Sequence, residues 1–206
     1  MSTDGWKNFG TYGANRDPGN VHGAIALARA LEDTLERMII DGGVRSPVTT
    51  RRGLTARMNY LTTSRNGAQA LTDAGITATP ATIRAWTRGR QRPRADNLEM
   101  IDTAYWNLRA RNVLASPGAL KQHLNRGGRG TAMEIHPVNQ QVVDEHARRN
   151  NLRLRRLQVR YIWDTAVDAL AAGSLDALED VWDDVIAELD SDWGAYTYVS
   201  HIGLGA

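Results

Sequence analysis

Between Gly67 and Gly89 two short apolar-periodic runs meet across a glycine, and the second reopens on a Thr-Pro pair. That punctuation limits the local fold more than any other feature of the chain. A helix is expected over Gly67 to Ala74, ended by Gly75, which turns the backbone at no steric cost. Thr79-Pro80 then supplies a side-chain cap and a ring whose fixed φ suits a first helical turn. The helix it opens runs through Ile83 and Trp86 to Arg88, and Gly89 stops it. Ala70 is small where two helices must approach closely, and Ile76, Ile83 and Trp86 form the apolar wedge between them. These are the parts of a helix-turn-helix. The turn from Gly75 to Ile83 is about two residues longer than in the compact motif.

The flanking chain is helical on the same grounds. From His22 to Ile40 the apolar positions fall at steps of three and four, and Asp41-Gly42-Gly43 ends the pattern. That stripe suits either the chain's own core or a dimer seam. Arg45 to Arg52 reads as a linker, and helices are expected over Leu54 to Thr63 and Ala95 to Val113. The composition changes at Asn125-Arg126-Gly127-Gly128-Arg129-Gly130, which is taken as a domain boundary. Beyond it strands are expected over Thr131 to Val138, Leu152 to Tyr161 and Ala195 to Ile202. Helices are expected over Gln140 to Arg149, Tyr161 to Ala172 and Ser174 to Leu189. The fold class is therefore mainly α with a smaller α+β part. Residues 1–20 read as a flexible N-terminal arm, 21–125 as a helical helix-turn-helix DNA-binding domain, and 131–206 as an α+β C-terminal domain.

Charge narrows the function. The formal net charge of the 206 residues is only +2. Yet Arg45 to Arg129 holds fifteen Lys/Arg against four Asp/Glu, while Asp164 to Asp192 holds ten Asp/Glu and no cation. A basic segment of this kind meets a polyanion, and arginine favours bidentate contact with phosphate or guanine. Within the motif, Thr79, Thr82, Arg84 and Arg88 are the outward positions expected to reach a major groove. Arg90, Arg92 and Arg94 are expected to grip the backbone beside it. The alternative is a three-helix bundle with a solvated basic face.

Other chemistries find little support. The chain has no cysteine, which excludes disulfides, thiolate zinc sites and a cysteine nucleophile. No stretch has the length and apolarity of a signal peptide or a membrane span, so a cytoplasmic, nucleoid-associated protein is expected. Asp183 and Asp184 diverge by about 100° on a helix and share no ion easily, and Asp190 and Asp192 suit a turn. His136, His146 and His201 lack zinc-ligand spacing. No phosphate loop, dinucleotide fingerprint or serine elbow is present, so no catalytic residue, metal or intrinsic cofactor is expected.

One family shares the order of these motifs. The strings Arg57-Met58-Asn59-Tyr60-Leu61, Ala68-Gln69-Ala70-Leu71, Gly75-Ile76, Thr82-Ile83-Arg84-Ala85-Trp86 and Gly89-Arg90-Gln91-Arg92-Pro93 carry the resemblance. Tyr105-Trp106-Asn107-Leu108-Arg109-Ala110-Arg111 and Gly130-Thr131-Ala132-Met133-Glu134 come next in the same order. The chain resembles the telomere terminal proteins of linear actinobacterial chromosomes and plasmids, firmly as far as Arg111. The resemblance implies a protein that caps 5′ ends of linear DNA and primes end replication from a side-chain hydroxyl. It implies a DNA polymerase and a telomere-associated protein as partners, with magnesium and the catalytic carboxylates supplied by the polymerase. The chain would then be an acceptor of nucleotide rather than an enzyme. Thr131, just after the Gly-Arg stretch, is the attachment hydroxyl this order indicates, and Ser116 is the second choice. The alternative role is a dimeric helix-turn-helix regulator of a mobile element or plasmid.

Overall fold

The computed structural model describes residues 21–140, 145–149, 152–189 and 194–205. Among these the architecture is mainly α with a smaller α+β part, eight α-helices and one four-stranded antiparallel sheet. In chain order β1 (Val21–His22) leads directly into α1 (Gly23–Asp41), followed by α2 (Arg51–Thr63), α3 (Gly67–Asp73), α4 (Pro80–Thr87) and α5 (Ala95–Leu114). Next come α6 (Pro117–Asn125), β2 (Thr131–Pro137), β3 (Arg155–Val159), α7 (Trp163–Ala172), α8 (Leu175–Ala187) and β4 (Tyr198–Leu204).

The chain divides into two compact units, Arg37–Val113 and a second made of Met1–Glu36 with Leu114–Ala206. This partition differs from the one expected over 21–125 and 131–206. Most of α1 and all of α6 belong with the sheet. Leu27, Leu31 and Leu35 of α1 are fully buried, and the indole of Trp182 packs so tightly on Gly23 that a Cβ there would lie 2.0 Å from it. Leu120 and Leu124 of α6 are buried in the same unit, where α6 packs on α7. The strand β1 is two residues long and carries no alternation that a sequence reading can detect.

The sheet runs in the order β1-β4-β2-β3. Alternation decides its faces, with Thr131, Met133 and Ile135 of β2 buried and their neighbours partly exposed. The strand expected over Leu152 to Tyr161 is confined to Arg155–Val159. The last strand begins at Tyr198, so Tyr196 does not share a strand face with it. Tyr196 is instead buried, its hydroxyl donating to the Arg153 carbonyl at 2.7 Å. Part of the helix expected over 140–149 lies outside the described residues, and Glu145–Ala147 form a single 3-10 turn.

The Arg37–Val113 unit is a helical cluster around Met58, Leu61, Leu71, Trp86, Ile101 and Leu108. No helix among the described residues is long and apolar enough to cross a membrane.

Candidate nucleic-acid interface

The two helices expected between Gly67 and Gly89 form within the Arg37–Val113 unit as α3 and α4, and both pack on α2. Gly67 lies so close to the Leu61 carbonyl that a Cβ would stand 1.7 Å from it, which lets α3 fold tightly back on α2. Gly75 adopts φ +90, and Ile76 N–H then donates to the Leu71 carbonyl at 2.9 Å, closing α3. Thr79 caps α4 as its sequence predicts. Its hydroxyl oxygen accepts from Thr82 N–H at 3.2 Å and lies 3.0 Å from the Thr82 hydroxyl, while Pro80 takes the first helical position. Gly89, at φ +66, ends the helix, and Arg90 N–H returns to the Ala85 carbonyl at 2.9 Å.

One side of α4 is locked and the other is free. Trp86 is only 4% exposed, with Ile83 partly buried and packed against the same core. Arg84 and Arg88, four residues apart and hence on one helix face, are exposed, as are Thr79 and Ala81. Thr82 is half-buried beside its cap. Arg90, Arg92 and Arg94 are exposed on the following loop, which the buried Pro93 pins down. Arg92 donates to the Thr49 carbonyl at 2.9 Å and so ties the loop to the start of α2. None of these five arginines makes an ion pair among the described residues. The structure thus brings Thr79, Thr82, Arg84, Arg88, Arg90, Arg92 and Arg94 together in one unit.

A contribution from α2 was not evident in the sequence. Residues 49–52 read as linker, yet Thr50 caps α2, accepting from Gly53 N–H at 3.0 Å. The first turn of α2 holds Arg51 and Arg52 and no acidic residue. Cations at a helix N-terminus oppose the macrodipole, so this end favours an incoming anion. A cleft of about 270 Å³ opens there, lined among others by Thr50, Arg51, Trp86, Gly89 and Arg92. The Nε1–H of Trp86 is buried with no acceptor among the described residues. Two arginines, Arg51 and Arg92, thus line a cleft at a helix N-terminus, which suits an anion such as phosphate. The signal in the sequence was the Thr-Thr-Arg-Arg-Gly string, whose hydroxyl cap precedes a first turn without carboxylates.

Thr131 lies elsewhere. It belongs to the other unit, is 2% exposed, and its hydroxyl donates to the Leu124 carbonyl at 2.6 Å. The accessible hydroxyl demanded of an attachment residue is not met there, because the first position of β2 faces the core. Ser116 is exposed at the start of α6, and its hydroxyl makes no capping hydrogen bond. Among the described residues no group of three His, Asp or Glu side chains is arranged to hold a metal ion.

No protein-family model, no curated protein and no solved structure matches this chain.

Proposed function

We propose that this chain binds double-stranded DNA, with α4 entering the major groove and the Arg90–Arg94 loop and the α2 start holding the phosphates beside it. The observation that carries the reading is the pairing on α4 of a buried Trp86 face with an exposed Arg84–Arg88 face. The rigid face fixes where the arginines stand, and a short helix with small neighbours (Ala81, Ala85) lets them approach base edges. The cleft at the α2 start supplies a phosphate seat that sets the depth and direction of docking.

Binding to duplexes selected from a random pool, followed by fluorescence anisotropy at several salt concentrations, tests this. The double variant Arg84→Ala, Arg88→Ala is expected to lose sequence-specific binding, since a bidentate arginine–guanine contact contributes about 1–3 kcal/mol. Arg51→Ala with Arg92→Ala is expected to weaken all duplexes alike and to reduce the salt slope by about 1.8 if each arginine neutralises one phosphate. Undiminished specific binding by the first variant sinks the proposal.

The wider role we propose is that of a terminal protein, carried by the resemblance of the Arg57–Arg111 and Gly130–Glu134 strings to that family. The folded structure favours Ser116 over Thr131 as acceptor, because Ser116 alone of the two is exposed. Mass spectrometry after incubation with a cognate polymerase, one deoxynucleotide and magnesium reads this out. An adduct on Ser116 supports the role. No adduct, together with two-fold binding to a palindromic duplex, replaces it with the regulator.

A further inference from the structure

Three described residues other than glycine have a positive φ: Asn66, Arg126 and Tyr161. Two of these lie on the segments that flank the paired ends of β2 and β3. Arg126 (φ 45) closes α6 just before β2, and Tyr161 (φ 67) follows the end of β3. The pairing of Thr131 with Val159 sets these two chain segments side by side. At Arg126 the left-handed conformation is that of a helix C-cap, an ordinary use. Tyr161 has no such use. An aromatic residue held there is strained, and strain of this kind gathers at functional sites.

The ring gains nothing from the fold in return. Tyr161 is 85% exposed, and among the described residues it has no hydrogen bond, ion pair or ring contact. Three exposed arginines lie on the adjoining segments, Arg160 next to it in the chain and Arg126 and Arg129 just before β2, with the Arg126 guanidinium reaching toward Gly205 instead. Arg160 donates through Nε to the Arg129 carbonyl at 3.2 Å, an oxygen that Gln158 Nε2 also reaches at 2.8 Å. Arg129 in turn donates through Nε to the Arg126 carbonyl at 3.3 Å. These bonds fix the arginine stems and leave the terminal nitrogens without acceptors among the described residues. None of the three makes an ion pair there either. Asp164, three residues after Tyr161, accepts from Asn125 Nδ2 at 2.9 Å instead.

Clustered cations without carboxylates repel one another unless a polyanion joins them. The exposed Tyr161 ring, next in the chain to Arg160, adds a flat apolar face. Phosphate alone has no use for that face, and a duplex has no unstacked base to offer it. A single strand satisfies both: guanidinium groups hold consecutive phosphates while a base stacks on the ring. We infer that this end of the sheet, formed by Arg129, Arg160 and Tyr161, binds single-stranded nucleic acid by stacking an unpaired base on Tyr161. The site lies in a different unit from α4 and does not depend on α4 binding duplex.

The test uses the full chain carrying Arg51→Ala, Arg84→Ala, Arg88→Ala and Arg92→Ala, which weakens both the base and the phosphate contacts proposed for duplex. Binding of a fluorescein-labelled DNA strand of about 16 nucleotides is measured by anisotropy, with an unlabelled duplex of the same sequence as competitor. Tyr161→Asn removes the ring but keeps a residue that tolerates the left-handed backbone, so its melting temperature is expected to match or exceed the parent's. It is expected to weaken binding roughly 5- to 150-fold, the equivalent of about 1–3 kcal/mol per stacked base. Tyr161→Phe is expected to bind as the parent does. Arg129→Ala with Arg160→Ala is expected to lower the salt slope by about 1.4. Parental affinity in Tyr161→Asn, equal competition by the duplex, or absence of salt-dependent binding to the single strand each overturns the inference. None of those results touches the duplex proposal, which rests on α4.

Discussion

Replacing Arg57 by alanine is expected to destabilise the Arg37–Val113 unit by about 3–5 kcal/mol, the range for breaking a buried charge network. The side chain is 5% exposed. It donates to the carbonyls of Ser46 at 2.7 Å, Gly53 at 3.2 Å and Val44 at 3.3 Å, bonds Asp102, and lies 5.3 Å from the centre of the Tyr105 ring. Ser46 and Val44 lie in the segment between α1 and α2, so one guanidinium closes that segment onto α2 and α5. Each carbonyl left without its donor costs about 1–3 kcal/mol, toward the low end here because the Ser46 and Val44 bonds are only partly buried. The lost cation–π contact adds about 0.5–2 kcal/mol. The ion pair contributes less than its proximity suggests. Asp102 is 37% exposed and rehydrates readily, so solvent screening holds its share to about 1 kcal/mol. Asp102→Ala is therefore expected to cost much less than Arg57→Ala. Urea unfolding followed by circular dichroism measures both, and amide exchange across α2 locates the loss. Equal costs for the two variants would refute the reasoning, because the ion pair rather than the carbonyl network would then dominate. Arg57→Ala should also weaken duplex binding, since the start of α2 loses the segment that braces it.

Thr79→Ala is expected to lower stability by about 1 kcal/mol through loss of the α4 cap, and an unchanged melting temperature would deny that cap its role. Gly67→Ala sets a Cβ against the backbone at Leu61 and is expected to cost about 3 kcal/mol. Gly118→Ala meets nothing within 4 Å inside α6 and is expected to stabilise by about 0.5–1 kcal/mol. Thr131→Val removes the hydroxyl that donates to Leu124 and is expected to cost about 1 kcal/mol while leaving any nucleotide acceptance intact. His201 stacks on His136 at 3.7 Å, and burial, followed by the charge of His136, lowers its pKa despite the opposing pull of Glu134. Its folded pKa thus lies below the unfolded value of about 6.5. The unfolded chain binds more protons in that window, so this contribution is complete above pH 6.5 or so and is lost as pH falls through it. Melting temperatures taken from pH 7.5 down to 5 should show the loss in the parent and less of it in His201→Asn; a rise on acidification traceable to His201 would reverse the sign.

The helices α3 and α4 were legible because their determinants are local. Gly67, Gly75, Thr79-Pro80 and Gly89 act on their own backbone or on residues a few positions away, and each performs as its chemistry requires. The outward arginines were legible for the same reason, since a helix converts spacing into a face without help from the rest of the fold. The cleft at the α2 start was not, because Arg92 reaches Thr49 across 43 positions and no local pattern announces that meeting.

By itself, the sequence determined where α1, α3, α4, α5, α7 and α8 begin and end to within two residues, though it did not announce α6. It also determined which face of α4 is apolar and that positive charge gathers in the front half. Local sterics and hydrogen bonding set these within a turn or two of chain. Only the tertiary structure decided that α1 and α6 pack with the sheet, that Thr131 faces inward onto the Leu124 carbonyl, and that Tyr161 is left exposed at the end of β3. The physical reason is that burial and charge proximity depend on which elements meet. Such meetings are chosen by the summed packing of residues like Leu27, Trp163 and Trp182, distant from one another along the chain and all fully buried.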